Sequence, residues 1–190
     1  MATQDSRIKI KRSTVTATVP TVPSSNDHTD GTWTATDIYK GELFFNQADG
    51  VLWSRDDNGV VCLGGSVKVT LTPAQVLALN TTPITLVGAV SDYAIEVVSA
   101  SVKVDFNTTP YATYKAVELI CNGADVAQYS NDVLGATLTR TALVNKPAYP
   151  TDGQTVLISN ADLQIQAQGG DPTAGDSTVT VYVNYRLIPA

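Results

Sequence analysis

Apolar and polar residues alternate along most of this chain with a period of two. The clearest run lies near the C-terminus, where every second residue is apolar: Val179, Val181, Val183, Tyr185 and Leu187. Such alternation is typical of a β-strand with one buried face, because successive side chains point to opposite faces of a sheet. Similar runs predict strands at 67–71, 84–90, 94–106, 114–121, 126–129, 156–159 and 163–167. The pattern therefore predicts an all-β fold.

One short stretch departs from this period. Thr72-Pro73-Ala74-Gln75 matches a capping box, with proline at the first helical position. One or two helical turns are therefore expected over Pro73–Leu79. About seven or eight short strands around this helix, with turns rich in Gly, Asn and Pro, predict that residues 66–190 form a jelly-roll-like β-sandwich.

Residues 31–65 read as a smaller β-meander. Three apolar runs (43–45, 51–53 and 60–63) are separated by Asp49-Gly50 and Asn58-Gly59. Asp-Gly and Asn-Gly favour type I′ hairpin turns, in which both central residues have positive φ. Gly64-Gly65 marks the predicted boundary with the sandwich.

Such a meander buries too little apolar surface to be stable alone. It therefore needs contacts from the rest of the chain or from copies of itself. The predicted oligomer contacts are its dense apolar and aromatic residues: Phe44, Phe45, Leu52 and Trp53.

Residues 1–30 are predicted to form an extended N-terminal arm and linker. Basic and apolar residues alternate early in this segment, and Pro20 and Pro23 then end the pattern. Three interpretations stay open: a solvated edge strand protected by its lysines, an arm that docks on an acidic surface of a partner protein, or an arm that contacts nucleic acid. The residues assigned to docking are Arg7, Ile8, Lys9, Ile10, Lys11 and Arg12.

Composition narrows the classes of function. The net charge of −6 argues against nucleic-acid binding by the whole chain. Apolar residues make up 43% of the sequence, yet no apolar run is long enough to span a bilayer. The polar residues 1–14 lack the apolar core of a secretory signal, so export by a signal peptide is not expected. Cys62 and Cys121 are interpreted as buried thiols, although a disulfide between them stays open.

Candidate chemistry is sparse. His28, the sole histidine, lies in a polar loop, and the glutamates are Glu42, Glu96 and Glu118. A pair of Asp105 and Glu118 on neighbouring strands is conceivable for glycoside hydrolysis, but no spacing singles it out. Asp56–Gly59 is explained as a hairpin turn rather than a calcium loop. No catalytic, cofactor-binding or metal-binding residue is predicted, and the protein is not expected to be an enzyme.

Two segments resemble virion structural proteins of tailed bacteriophages. The stretch 41–65 is similar to a GEL…N-x-x-DG…LGG segment near the attachment ends of their fibre proteins. It matches at Gly41, Glu42, Leu43, Asn46, Asp49, Gly50, Leu52, Trp53, Asn58, Gly59 and Leu63. A β-domain of phage virion proteins is matched by Leu79–Pro83, Pro110–Ala112, Pro172–Asp176 and Val181–Arg186.

The resemblance implies a fibre, head-fibre or decoration subunit located in the virion. Its implied partners are copies of itself, in a homotrimer, and a capsid or tail protein of the same particle. The alternative is a receptor- or glycan-binding module of a phage fibre, with Tyr111 and Tyr149 as stacking platforms for a host-surface glycan. Neither interpretation involves a membrane, a cofactor or nucleic acid.

Overall fold

The computed structural model describes residues 10–25, 31–128, 132–143 and 157–190. Within these ranges the regular structure is almost entirely β, and the strands form two sheets, so the all-β prediction is confirmed. The chain divides into two compact units, the first ending at Gly65 and the second beginning at Ser66. The elements are β1 (Lys11–Ser13), β2 (Leu43–Asn46), β3 (Val51–Arg55), β4 (Val60–Leu71), α1 (Pro73–Leu77), β5 (Ile84–Val87), β6 (Tyr93–Asp105), β7 (Val117–Cys121), β8 (Ala124–Gln128), β9 (Arg140–Leu143), β10 (Leu163–Ala167) and β11 (Thr178–Pro189).

The first unit is a small sheet in the order β1-β2-β3-β4, to which β4 contributes its N-terminal half. Strand β1 runs parallel to β2, and the other neighbours are antiparallel. Its apolar core consists of four nearly inaccessible side chains: Ile38, Phe44, Val51 and Trp53. Buried Asp37 and Asn46 lie in the same unit, so polar groups make up an unusual share of this small interior.

The described residues of the second unit form eight strands, counting the C-terminal half of β4. Their order is β4-β11-β6-β9 in one sheet and β5-β10-β7-β8 in the other. This order is that of the eight-stranded jelly roll, in which two Greek keys are folded together. Each sheet buries alternate residues, for example Leu163, Ile165 and Ala167 of β10. The predicted jelly-roll-like sandwich is therefore what the second unit forms.

Helix α1 begins as its sequence predicts. Thr72 is the N-cap: its side chain accepts from the Gln75 amide at 3.3 Å, and the Gln75 side chain accepts from the Thr72 amide at 2.8 Å. Reciprocal bonds of this kind satisfy amides that lack partners within the helix. The helix ends at Leu77, two residues earlier than predicted, and buries Val76.

The glycine pair at the predicted boundary between the two modules lies inside a strand, and the chain divides into its two units directly after it. Strand β4 continues through Gly64 and Gly65, and a β-bulge places Leu63 between the partners of Leu52 and Trp53. Gly64 has φ of +151°, a backbone region that residues with a Cβ rarely occupy. The two glycines therefore accommodate a bulge instead of ending a strand.

The two hairpin turns of the first unit also differ from expectation. Each connects its strands through four residues, 47–50 and 56–59, and positive φ is confined to Gly50 and Gly59. Neither is the predicted type I′ turn. In the second unit Asn122 and Gly123, both with positive φ, form a two-residue connection between β7 and β8, the geometry that a type I′ turn requires.

Two further strand predictions need correction. Strand β9 was not anticipated, because its exposed side chains lack an apolar alternation. The strand predicted at 156–159 is reduced, in its described part, to a single bridge between Ser159 and Ala94. Among the described residues, helical structure is far too short to cross a bilayer.

Candidate interaction surfaces

The sheet of the first unit separates the four predicted oligomer contacts onto two faces. Phe44 pairs with Trp53 across β2 and β3, and Phe45 pairs with Leu52. Phe44 and Trp53 are each 1% exposed and belong to the core of the unit. Phe45 is 37% exposed and Leu52 is half-buried. Of the four residues, only Phe45 and Leu52 are accessible to a partner.

The accessible face is apolar beyond this pair. We define the outer face by four residues that the strand register and alternation place together: Leu43, Phe45, Leu52 and Val61. Val61 is 42% exposed, and the bulge residue Leu63 beside it is 50% exposed. A contiguous set of exposed apolar side chains on a sheet is typical of a surface that another protein covers.

The described part of the predicted docking segment, Ile10–Arg12, lies at one edge of this sheet. Arg7, Ile8 and Lys9 fall outside the described residues. Ile10 is 45% exposed, and Arg12 lies opposite Phe45 in the parallel pairing of β1 with β2. Arg12 therefore borders the outer face. Arginine and aromatic side chains are both enriched in protein interfaces.

Lys11 has a structural role within the unit. Its Nζ donates to the Asp37 carbonyl oxygen at 2.6 Å and to Glu42 Oε2 at 3.1 Å, and it lies 4.5 Å from the centroid of the Trp33 ring. Glu42 Oε2 also accepts from the Tyr39 amide at 2.8 Å. The ammonium group thus joins β1 to the loop that precedes β2. This role was not predicted, since alternation alone does not show which lysine faces inward.

We call residues Lys11–Thr18 the strap, because they lie along β2 and the turn that follows it. The Asn46 side chain donates from Nδ2 to the carbonyl oxygens of Val15 at 3.1 Å and Thr18 at 3.2 Å. Asp49 Oδ2 accepts from the Ala17 amide at 2.7 Å and from Asn46 Nδ2 at 2.6 Å. Asn46 is 1% exposed, so its side-chain amide is shielded from water, whereas Val15 and Ala17 of the strap are exposed. We refer to Glu42, Asn46 and Asp49 as the strap site.

The strap site coincides with three polar positions of the GEL…N-x-x-DG segment. Asn46 Oδ1 additionally accepts from the Ala48 amide at 3.0 Å, which shapes the turn leading to Asp49. The three-residue spacing of Asn46 and Asp49 therefore places one amide and one carboxylate on the same strap turn. The spacing of Asn46 and Asp49 is visible in the sequence, but the sequence alone does not show which atoms the two side chains bind.

The segment that follows the strap is held, through Asp37, to the loop that precedes β2. Its carboxylate accepts from Thr21 Oγ1 at 2.6 Å and from the Thr34 amide at 2.7 Å. These two bonds, together with the nearby Lys11 ammonium, hold the pKa of Asp37 below its usual value. Main-chain bonds of Thr21 with Thr36 and Ile38 complete the attachment.

The conceivable carboxylate pair of the second unit does not form. Asp105 belongs to β6 and Glu118 to β7, which are strands of different sheets. Asp105 is instead paired with Lys103 at 2.5 Å. Burial raises the pKa of Glu118, and the nearby charge of Asp125 adds to this effect. Within the described ranges no three His, Cys, Asp or Glu side chains are grouped as a metal site would require.

The proposed aromatic platform is likewise not supported at Tyr111. This side chain is 2% exposed, and its hydroxyl donates to the Ser177 carbonyl oxygen at 2.6 Å. Burial, with a smaller contribution from the Asp176 charge, raises its pKa to about 12. Tyr111 is thus a core residue of the jelly roll. Tyr149 lies outside the described residues.

The two cysteines are free thiols in separate units. Cys121 is buried, and burial raises its pKa to about 11, so it stays protonated at neutral pH. Cys62 is only partly buried. The expectation of two buried thiols is therefore met in full at Cys121 alone.

Comparisons with known proteins give little further information. No protein-family model matches the chain, and no curated protein matches it. One solved structure that it resembles is the "Cyanophage Pam1 capsid asymmetric unit", with 15% sequence identity over 66% of this chain and 84% of that chain. The TM-score is 0.38, which is too low for the likeness to support any conclusion about fold or function.

Proposed function

We propose that this protein is a structural subunit of a tailed-bacteriophage virion. It acts by associating with copies of itself and by docking on a capsid or tail protein of the same particle. The sequence resemblances support this class of function. The jelly roll is compatible with it, since viral capsid domains use that fold, although a fold alone does not establish a function.

The outer face of the first unit is the observation that carries the proposal. Phe45 and Val61 of this face, and Leu63 beside it, are between 37% and 50% exposed on a module with a small core of its own. Covering them removes apolar area from water, at about 25 cal/mol for each Å². The gain favours association, and we propose that a second copy of the chain covers this face.

The finer form of the proposal is a fibre, head-fibre or decoration subunit that assembles as a homotrimer. A closed threefold arrangement is one symmetry in which every copy uses the same surfaces. The basic segment Arg7–Arg12 is proposed to dock on the virion partner. It meets an acidic surface there, toward which its positive charges steer the subunit.

Sedimentation of the purified full-length chain tests self-association. We expect an oligomer at micromolar concentration. The double variant Phe45→Ser with Val61→Ser is expected to shift the protein to monomer, because the outer face loses its apolar side chains. The matched control is Leu138→Ser, which removes a side chain that is 75% exposed in the second unit.

The result shows whether the outer face, rather than another surface of the molecule, is the contact between copies. Circular dichroism must first show that each variant keeps the β-rich spectrum of the parent chain. If the unsubstituted chain sediments only as monomer, self-association is wrong. If the double variant keeps the oligomer of the parent chain, the outer face is not the contact.

The alternative function, a receptor- or glycan-binding module, lacks a comparable observation. Lectins also use jelly rolls, but Tyr111 is unavailable for stacking because it is buried. Binding of the intact protein to a glycan array would favour this alternative. The proposal assigns the chain no catalytic activity.

A further inference from the structure

A polar cavity opens at one end of the sheet β5-β10-β7-β8. Its volume is about 370 Å³, and the described residues that line it are Asn122, Ser159, Asn160, Ala161, Asp162 and Gln164. The first lies in the turn between β7 and β8, the next four lead into β10, and the last belongs to β10. Ligand-binding cavities commonly measure about 300–1,000 Å³, so this one has room for a small ligand.

Two side chains of the wall are fixed by the connection between β5 and β6. Asp162 Oδ1 accepts from the Ala89 amide at 2.6 Å, and Asn160 Oδ1 accepts from the Asp92 amide at 2.9 Å. Each bond occupies one polar atom of a side chain that carries two, and thereby sets the direction of the second. Within the described ranges, Asp162 Oδ2 and Asn160 Nδ2 take part in no hydrogen bond. Both atoms are therefore oriented and available to a ligand.

The backbone conformation also orders this wall. Asn122 and Asn160 have φ of +48° and +55°, in the left-handed region that residues other than glycine seldom occupy, although asparagine tolerates it better than most. The Asn160 amide donates to the Tyr93 carbonyl oxygen at 3.0 Å, which ties this bend to the first residue of β6. A wall that is ordered before a ligand arrives lowers the entropic cost of binding.

The chemistry of the wall limits what it can bind. Among the described lining residues Asp162 is the one charged group, and three carboxamides supply both donors and acceptors: Asn122, Asn160 and Gln164. An anion would be repelled by the Asp162 carboxylate, and no cationic side chain of the described wall would balance that repulsion. Ala161 is the one apolar side chain of the same wall, so an apolar ligand would find little surface to contact. The wall therefore favours a polar ligand without negative charge.

A cation fits this wall less well than a neutral molecule with several hydroxyls. An ammonium group would pair with Asp162, but it can only donate, so the carboxamide nitrogens of Asn122 and Asn160 would lack an acceptor on the ligand. A hydroxyl both donates and accepts. Neighbouring hydroxyls on one ligand can therefore satisfy the carboxylate oxygen and the carboxamide nitrogens together. A saccharide has this chemistry.

We propose that this cavity binds a neutral saccharide unit, whose hydroxyls contact Asp162 Oδ2 and Asn160 Nδ2. The site adds sugar binding to the proposed structural role, and it depends neither on the outer face nor on self-association. Because no aromatic side chain is among the described lining residues, we expect a single site to bind weakly, with a Kd in the millimolar range. Several copies on one particle would strengthen attachment to a surface that displays the sugar repeatedly.

Nuclear magnetic resonance of the ¹⁵N-labelled full-length chain tests the proposal. The probes are glucose, galactose, mannose, rhamnose and N-acetylglucosamine, each titrated to high millimolar concentration. At least one sugar should shift the amide signals of Ala89, Asp92 and Asn122 in a saturable manner, because these residues line the cavity or donate to its wall. Methylammonium as a cationic probe and inorganic phosphate as an anionic probe should leave the same signals unchanged.

Two substitutions assign the binding to the cavity. Asp162→Asn keeps an oxygen for the Ala89 amide and replaces the second oxygen by a donor, so the sugar should bind about tenfold more weakly. Asn122→Gly removes a carboxamide at a positive φ that glycine adopts freely, and it should also weaken binding. The matched control is Asp57→Asn, the same chemical change at an exposed turn of the first unit, which should bind the sugar as the parent chain does. Circular dichroism checks that each variant keeps the parent fold.

The methyl glycoside of a sugar that binds identifies the source of the saccharide unit. Retained binding of the glycoside assigns the site to a sugar linked within a glycan, and lost binding assigns it to a free sugar. If none of the sugars shifts these signals, the proposal is wrong. It is equally wrong if methylammonium shifts them and the sugars do not, or if Asp162→Asn and Asn122→Gly both bind the sugar as tightly as the parent chain.

Discussion

The two units of this protein stabilise their interiors in different ways. The second unit relies on long alternating strands, among them β6 and β11, whose inward residues are almost all apolar. The first unit uses short strands and adds buried Asp37 and Asn46 to a handful of large apolar side chains. Apolar packing tolerates the loss of one contact among many. A polar hub depends on each directional bond, because a buried group left without its partner bears the full cost of desolvation.

The largest effect is expected in the apolar core of the second unit. Leu163 is fully buried in β10, and Leu163→Ala removes its packing and leaves a cavity. We expect a loss of about 2–5 kcal/mol in the free energy of unfolding, measured by urea titration followed by circular dichroism. Leu138→Ala makes the same chemical change at a site that is 75% exposed, and should stay within about 0.5 kcal/mol. Equal losses would contradict the account of this core.

A second substitution tests how closely that core is packed. A Cβ added at Gly175 would overlap the ring of Tyr111, and the backbone there has φ of +99°. Gly175→Ala should therefore lower the free energy of unfolding by about 1–3 kcal/mol, in the range of other overpacked sites. Gly88→Ala is the control, since nothing lies within 4 Å of its added Cβ. Thermal unfolding of the two variants measures the difference. Unchanged stability in Gly175→Ala would show that the Tyr111 ring does not pack tightly against Gly175.

The polar hub of the first unit gives the contrasting prediction. Asn46→Ala leaves the carbonyl oxygens of Val15 and Thr18 without their side-chain donor, and we expect a loss of about 1–3 kcal/mol. Both tryptophans, Trp33 and Trp53, lie in the first unit, so tryptophan fluorescence during urea unfolding reports on this unit.

The control for the hub is Asn58→Ala in the same unit. Asn58 lies exposed in the turn between β3 and β4, and its removal should change stability by less than about 0.5 kcal/mol. Hydrogen exchange adds a local readout. The amides of Ala17 and Gln47 should lose protection in Asn46→Ala alone, and unchanged protection would mean that Asn46 does not hold the strap.

The smallest effect concerns Asp176, a partly exposed carboxylate in the second unit. Asp176 accepts from the amides of Thr108 and Thr109 at 3.0 and 2.9 Å, and from the Asn107 side chain at 3.0 Å. Its bonds, above all the one from the Thr108 hydroxyl, lower its pKa in the folded state. A lowered pKa adds stability above the unfolded-state value of about 3.9, and that stability is lost as the pH falls through the folded-state value.

Asp176→Asn removes this titration. The variant should melt below the parent chain at pH 7. The difference in melting temperature should be smaller at pH 3, because this pH lies below the unfolded-state pKa of about 3.9, where the loss of the stabilisation begins. Thermal melts at the two pH values measure it. A difference that is the same at both would show that the charge of Asp176 has no stabilising role.

Much of the fold could be predicted because period-two alternation reports burial on one face of a sheet. It identified β10, β11 and most of the other jelly-roll strands, and the residues of the capping box identified α1. It failed at β9, whose residues are mostly exposed and carry no burial pattern. The chain divides into its two units after Gly65, at the predicted boundary. The sequence does not show that strand β4 runs through this glycine pair, because glycine permits a bulge as readily as a turn.

The candidate surfaces were predictable only in part. Neighbouring residues of a strand point to opposite faces of the sheet. Phe44 and Phe45 were therefore expected on opposite faces, and so were Leu52 and Trp53. The sequence does not show which member of each pair is buried, because that depends on what packs against the sheet. The strap site depends on contacts between residues far apart in sequence, such as Val15 and Asn46, and no local pattern encodes these.

The most direct test of the proposed structural role is to look for the protein in purified bacteriophage particles and to locate it there. Electron cryomicroscopy of purified virions, combined with mass spectrometry of their proteins, gives both presence and position. We expect a fixed number of copies per particle, with Phe45, Val61 and Leu63 of each copy covered by another copy. Absence from the purified particles would contradict the structural role, and an outer face open to solvent in the assembled virion would contradict self-association through that face.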